Sequence, residues 1–285
     1  MFESKEKLIQ YLKENHLYTN KLLGQNFLVD ENALTKIIEA GDIEPADTII
    51  EIGPGLGVLT ERLVEKANKV ISIELDQKLA ELLSQNSNLK SQIEISKLEI
   101  LNANALDFDL SKLQAESYKL IANIPYYITS KILEKFLTAE KKPKTIVLLV
   151  QKEVAERICA PSGAMSVLSV AVQAYGEPEI VDIVSAASFF PAPKVDSAIL
   201  KVKGINWKVK SITEKDFFQV VKIGFAARRK TLLNNLSAAL RLDKGTILNI
   251  LKSVKLNENV RAQELSIAEW QTLAINVKLK ISNDK

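Results

Sequence analysis

The chain has 285 residues, 47% of them hydrophobic, with 38 Lys and Arg against 35 Asp and Glu for a net charge of +3. That is enough apolar material for one large domain, or a medium domain with a smaller partner, while the longest apolar runs, such as residues 145–150, fall far short of the roughly 20 a membrane helix needs. A single cysteine, Cys159, and a single histidine, His16, exclude an internal disulfide and a His/Cys zinc site.

The opening residues, MFESKEKLIQYLKENH, are charged and predict a short amphipathic helix rather than a signal peptide, so a cytoplasmic location is expected. From Asp47 onward short β-branched runs alternate with helical stretches, the pattern of a parallel sheet covered by helices. Strands are predicted at residues 48–53, 69–75, 98–103, 118–123 and 144–150. Helices are predicted at 57–67, where Leu59, Leu63 and Val64 share a face, and at 77–86, where Leu79, Leu82 and Leu83 do. A helix near 151–158, the stretch 166–176, and two further strands at 179–184 and 197–203 complete this part. Beyond Thr213 only helical periodicity remains, so the expected division is a doubly wound α/β domain over 1–204 and a small α-helical domain over 205–285. The charge divides likewise. Residues 205–285 hold 15 Lys and Arg against 7 Asp and Glu, a balance of +8, leaving 23 against 28, or −5, for residues 1–204. A basic end on a mildly acidic body suits a polyanionic partner such as nucleic acid, although a solvated helical face would also account for it.

The glycine loop EIGPGLGVLT follows the first strand and opens the next helix, at the sheet edge where such folds bind ligands. Gly53 and Gly55 allow close backbone approach, but Val58 stands where a dinucleotide fingerprint needs its third glycine, which disfavours NAD. The pattern E-x-G-x-G-x-G resembles instead the first motif of S-adenosylmethionine-dependent methyltransferases. Glu74, at the end of the second strand and 21 residues beyond Gly53, is placed to accept the ribose hydroxyls, with Asp76 as competitor. After the third strand, where methyltransferases usually have an Asp for the adenine amine, this chain has Asn104, whose carbonyl accepts without charge assistance.

The fourth strand delivers Asn123-Ile124-Pro125-Tyr126 to the same edge. Methylating an exocyclic amine requires acceptors that hold its N–H groups while the nitrogen leaves conjugation with the ring. The Asn123 side-chain oxygen and the Ile124 carbonyl, splayed by the fixed φ of Pro125, are two such acceptors, and Tyr126 is suited to stack on the base.

Taken with these motifs, GQNFLVDENALTKII, FFPAPKVDSAILKV and GFAARRKTLLNNL make the chain similar to the KsgA/RsmA family of small-subunit rRNA adenine dimethyltransferases over nearly its whole length. The resemblance implies a Rossmann-like domain with a helical C-terminal domain, a cofactor-covering segment within residues 1–46, and S-adenosylmethionine as cofactor. Asn26 and Leu28 would line the cofactor site together with Asn123. Phe189 would stack on the target base opposite Tyr126, unless it belongs to the core. Arg228, Arg229 and Lys230 would form a basic RNA-binding helix, unless they are a solvated helix end. The implied reaction is N6,N6-dimethylation of two adjacent adenosines in a hairpin near the 3′ end of 16S rRNA, within immature 30S subunits, by a monomer that needs no metal. Erythromycin-resistance methylases, which act on large-subunit RNA, and a noncatalytic RNA-binding assembly or transcription factor are the alternatives.

Overall fold

The computed structural model describes residues 5–20, 23–85 and 97–283. The expected positions 1–4 of the first helix and residue 86 of the second core helix lie outside them. Two compact units are present, one of Met1–Ala155 with Glu179–Ile205, the other of Glu156–Pro178 with Asn206–Lys285. The division is therefore not the single cut near Gly204 that the sequence suggests, because residues 156–178 cluster with the C-terminal helices.

The first unit opens with α1 (Lys5–Glu14), whose Leu8 and Leu12 sit four apart on one face and are buried with Leu56 and Leu79. A two-residue strand, β1 (Phe27–Leu28), leads into α2 (Glu31–Ala40), which is capped by Asp30: its Oδ1 accepts from the backbone N–H of Asn32 and Ala33. In chain order follow β2 (Thr48–Ile52), α3 (Val58–Lys66), β3 (Lys69–Glu74), α4 (Gln77–Gln85), β4 (Leu98–Asn102), β5 (Lys119–Asn123), α5 (Thr129–Thr138), β6 (Ile146–Gln151), α6 (Lys152–Ile158), α7 (Val167–Gln173), β7 (Glu177–Val184), β8 (Phe189–Phe190) and β9 (Ser197–Lys203), of which α7 and the end of α6 belong to the second unit.

Among the described residues seven strands form one sheet in the order β4-β3-β2-β5-β6-β9-β7. Pairings among β2 to β6 are parallel, and β9 runs antiparallel to β6, so the sheet is mixed. Ile49, Val70, Ile121, Val147 and Ile199 make a continuous core with α2 and α3 on one face. Their sequence neighbours Ile50, Ile71, Leu120 and Leu148 point the opposite way by the strand period and are buried as well. Burial on both faces explains why these strands read as unbroken apolar runs.

The second unit includes α8 (Glu214–Gly224), α9 (Leu232–Leu240), α10 (Lys244–Ser253) and α11 (Ile267–Asn283), with Phe217, Leu236, Leu251 and Trp270 buried. Gly224 is required by closeness rather than by dihedral: an added Cβ would come within 2.4 Å of the Trp270 ring. Arg228, Arg229 and Lys230 are not helical, contrary to expectation. They are exposed in the turn before α9, because Thr231 caps that helix from Leu232. Buried Asn235 braces the turn, its Nδ2 donating to the carbonyls of Gly224 and Ala227 at 2.6 and 3.2 Å.

Candidate active site

The chain runs outward from β2 through β3 to β4, then returns to β5 and continues to β6 on the other side. A crevice opens at the strands' carboxyl ends where the order reverses. The loop after β2, the end of β3, the turn after β4, the Asn123–Ile128 turn and residues 23–28 line it.

Gly53 and Gly55 have φ of +66° and +59°, the left-handed region in which a side chain is strained. At Gly55 a Cβ would also meet the Phe27 ring at 3.1 Å. The Gly55 N–H donates to Glu74 Oε2 at 3.0 Å, and the Asp76 N–H donates to Glu74 Oε1 at 2.9 Å. Both oxygens of Glu74 are thus held in place while each keeps a lone pair for a ligand hydroxyl. Burial raises its pKa, against these hydrogen bonds. Asp76, the competing acid, instead has one oxygen on the N–H groups that start α4 and the other on Gln25 Nε2 at 3.2 Å. Asn104 reaches the crevice as expected, within a turn: its Oδ1 accepts from the Leu106 N–H and its Nδ2 donates to Asp107 Oδ2 at 2.9 Å. Leu75, half exposed directly after Glu74, forms an apolar wall that pattern reading did not single out.

Asn123, Ile124, Pro125 and Tyr126 all line the crevice, as do Asn26 and Leu28. Pro125, with φ −57° and ψ 132°, turns the chain out of β5 into a single 3-10 turn, Tyr126–Ile128, that Thr129 Oγ1 closes on the Tyr126 carbonyl. Asn123 Nδ2 donates to the Asn26 carbonyl at 3.2 Å, which leaves its Oδ1 as an acceptor. Tyr126 is half-buried, and its hydroxyl shares a 2.6 Å hydrogen bond with fully buried Ser197 at the start of β9. Burial raises the Tyr126 pKa, so the ring stays neutral.

Phe189 does not line the crevice. It is fully buried in the core with Leu28, Leu34 and Ile199, paired opposite Leu28 in the two-stranded β1–β8 sheet. The expectation of a stacking ring is corrected accordingly: the F-x-P-x-P segment anchors the chain before α2, and Ser188 Oγ adds a 2.6 Å bond to Asp30 Oδ2.

Glu51 also lines the crevice. Its Oε2 accepts from Thr60 Oγ1 and Ser72 Oγ, each at 2.7 Å, and its buried Oε1 has no hydrogen-bond partner. Burial pushes its carboxyl up to about 7, opposed by the two hydroxyls and aided by Glu74. The parallel register, with Glu51 opposite Ser72, creates this cluster; the E-x-G-x-G-x-G motif contains Glu51 but not its partners Thr60 and Ser72.

The residues fit S-adenosylmethionine: close-approach glycines, a preset carboxylate for the ribose, an acceptor for the adenine amine and apolar walls. Sheet order and crevice place the chain among the S-adenosylmethionine-dependent methyltransferases. The family model for ribosomal RNA adenine dimethylase matches residues 17–278, and the chain belongs to that family. It is 41% identical over 276 residues to "Ribosomal RNA small subunit methyltransferase A" of Dehalococcoides mccartyi, covering 96% of this chain and 92% of the relative. The protein of the same description from Alkaliphilus oremlandii is 36% identical, with 98% of both chains covered. Among solved structures, a dimethyladenosine transferase from Plasmodium falciparum superposes with TM-score 0.77 at 27% identity, over 89% of this chain and 98% of that one. The 23S rRNA methyltransferase ErmE gives 0.71 at 26%, over 89% and 100%.

Proposed function

We propose that the chain uses S-adenosylmethionine to dimethylate N6 of two adjacent adenosines in a hairpin near the 3′ end of small-subunit rRNA, on immature 30S particles in the cytoplasm. The observation that carries this reading is the orientation of Asn123. One amide hydrogen is committed to the Asn26 carbonyl, which leaves Oδ1 to accept from a ligand on a residue that lines the same crevice as the glycine loop.

When bound, the cofactor supplies an electrophilic methyl carbon. Gly53 and Gly55 would let it approach the backbone, Glu74 would accept from its ribose, and Asn104 Oδ1 from its adenine amine. Asn123 Oδ1 and the Ile124 carbonyl would hold the target N–H groups, which would draw the nitrogen lone pair out of conjugation with the ring. The Tyr126 ring, tethered to Ser197, stacks on the target base. Direct transfer from a sulfonium needs no enzyme nucleophile. Arg228, Arg229 and Lys230, on their braced turn, would contact phosphates without reading sequence.

The likeness to ErmE makes large-subunit RNA the second reading, and the higher identity to proteins described as small-subunit enzymes favours the first. The deciding experiment supplies labelled S-adenosylmethionine with 30S particles from an unmethylated strain and, in parallel, with 23S rRNA. Label on two adjacent 16S adenosines supports the proposal. Label on 23S rRNA alone rejects it.

A further inference from the structure

We infer that Glu51 is a through-space counter-ion that makes the site favour cationic S-adenosylmethionine over its product S-adenosylhomocysteine, and that it releases a proton as the cofactor enters. This rests on the methyltransferase reading above. Substrate and product differ by a methyl group and one positive charge, so shape alone separates them poorly. A charged group in the wall of a low-dielectric crevice separates them by sign.

Glu51 is built for this. It is 1% exposed, lines the crevice, and stands on the central strand β2, directly before the glycine loop. Thr60 of α3 and Ser72 of β3 fix one carboxyl oxygen, while the other is shielded from solvent and has no donor. The charged group acting on it is another acid, Glu74 of β3, which Asp76 repels in turn. Thr60 and Ser72 do not titrate in this range, and Asn123, which lines the crevice from β5, carries no charge. Among the described residues that line it, the site thus holds negative charge without a partner cation, and burial keeps the Glu51 carboxyl about half neutral at pH 7. Entry of a sulfonium and an ammonium favours the ionised form. The carboxyl O–H bond breaks, the proton passes to solvent, and no other bond changes. The thioether product lacks the sulfonium charge and expels less of the proton.

The test is titration calorimetry of the full chain with each ligand, in buffers of different ionisation enthalpy, between pH 5.5 and 7. That window lies below about 8, where the cofactor's own α-amino group titrates. Near pH 7 wild-type protein should release about half a proton on binding S-adenosylmethionine and less on binding S-adenosylhomocysteine. Affinity for the former should tighten as pH rises. Glu51→Gln should abolish the release and lower the preference for the cationic ligand about tenfold, the effect of a pKa shift of one unit. Unchanged proton release, or equal loss of affinity for both ligands, would overturn the inference. If Glu51→Gln does not fold, Ser72→Ala serves: losing a donor to the carboxylate should move the release curve to higher pH, and an unmoved curve overturns the inference. Binding of neither ligand to wild-type protein would overturn the methyltransferase reading itself.

Discussion

The side-chain amide of Asn123 donates to the backbone carbonyl of Asn26, 97 positions earlier in the chain, at 3.2 Å. The proposed catalytic acceptor and the segment covering the crevice therefore orient one another. Asn123→Ala should lose roughly 30- to 1000-fold in turnover, corresponding to about 2–4 kcal/mol of barrier, while cofactor affinity falls only mildly. Single-turnover rates set beside calorimetric affinities would check it, and turnover within threefold of wild type would reject the assigned role.

Phe189 packs in the core, so Phe189→Ala should act on stability. The expected loss is about 3–5 kcal/mol, the usual cost of emptying a buried aromatic site. The variant protein that remains folded should keep the wild-type ratio of mono- to dimethyladenosine. Denaturant midpoints and mass spectrometry of digested RNA separate the two effects, and a skewed ratio with unchanged stability would return Phe189 to the active site.

Asn104 and Asp107 are coupled at 2.9 Å. Asn104→Asp alone would set two carboxylates together and should not improve cofactor affinity, although a charged acceptor is intrinsically stronger. Adding Asp107→Asn removes the repulsion and should restore or improve binding. A double-mutant cycle with additive effects would contradict this.

Neutralising Arg228, Arg229 and Lys230 together should flatten the log-log salt dependence of RNA binding by about 2 units, at about 0.7 per single-strand phosphate contact. An unchanged slope would leave these residues facing only solvent.

Glu51 links stability to pH. In the unfolded chain it ionises near 4.5, the ordinary glutamate value, and in the folded protein near 7, so between these values the folded state binds the extra proton. Its contribution is complete below about pH 4.5, declines as pH rises, and is lost above 7, by about 3 kcal/mol in all. Glu51→Gln should lack this decline. Parallel unfolding profiles for the two proteins from pH 5 to 8 would show the group is not protonated in the native state.

Most of the sheet was legible because its strands are buried on both faces and punctuated by glycine, proline and capping residues. Gly53, Glu74 and the Asn123–Tyr126 turn could be brought together from strand order alone, since each ends a parallel strand at one edge. What escaped depends on register and long-range packing. Ser72 meets Glu51 only through strand pairing, and Ser197 meets Tyr126 across 71 residues. Phe189 lies in a motif whose residue types suit a core and a binding face equally, and only its pairing with Leu28 decides between them. Arg228 to Lys230 precede a helical stretch, and the family resemblance implied a helix that includes them, whereas the Thr231 cap starts it at Leu232.

Glu74 enters the binding reaction already immobilised, because the backbone N–H groups of Gly55 and Asp76 each hold one of its oxygens. Ordering a glutamate side chain costs about 1.5–2 kcal/mol of rotamer entropy. Here that loss occurs when the chain folds, so in the proposed role a ribose would meet a rigid acceptor, and its affinity would not be reduced by having to freeze one. In that role selectivity would come from rigidity: a sugar with one hydroxyl missing would find a carboxylate that cannot swing to compensate, leaving one of its lone pairs unmatched.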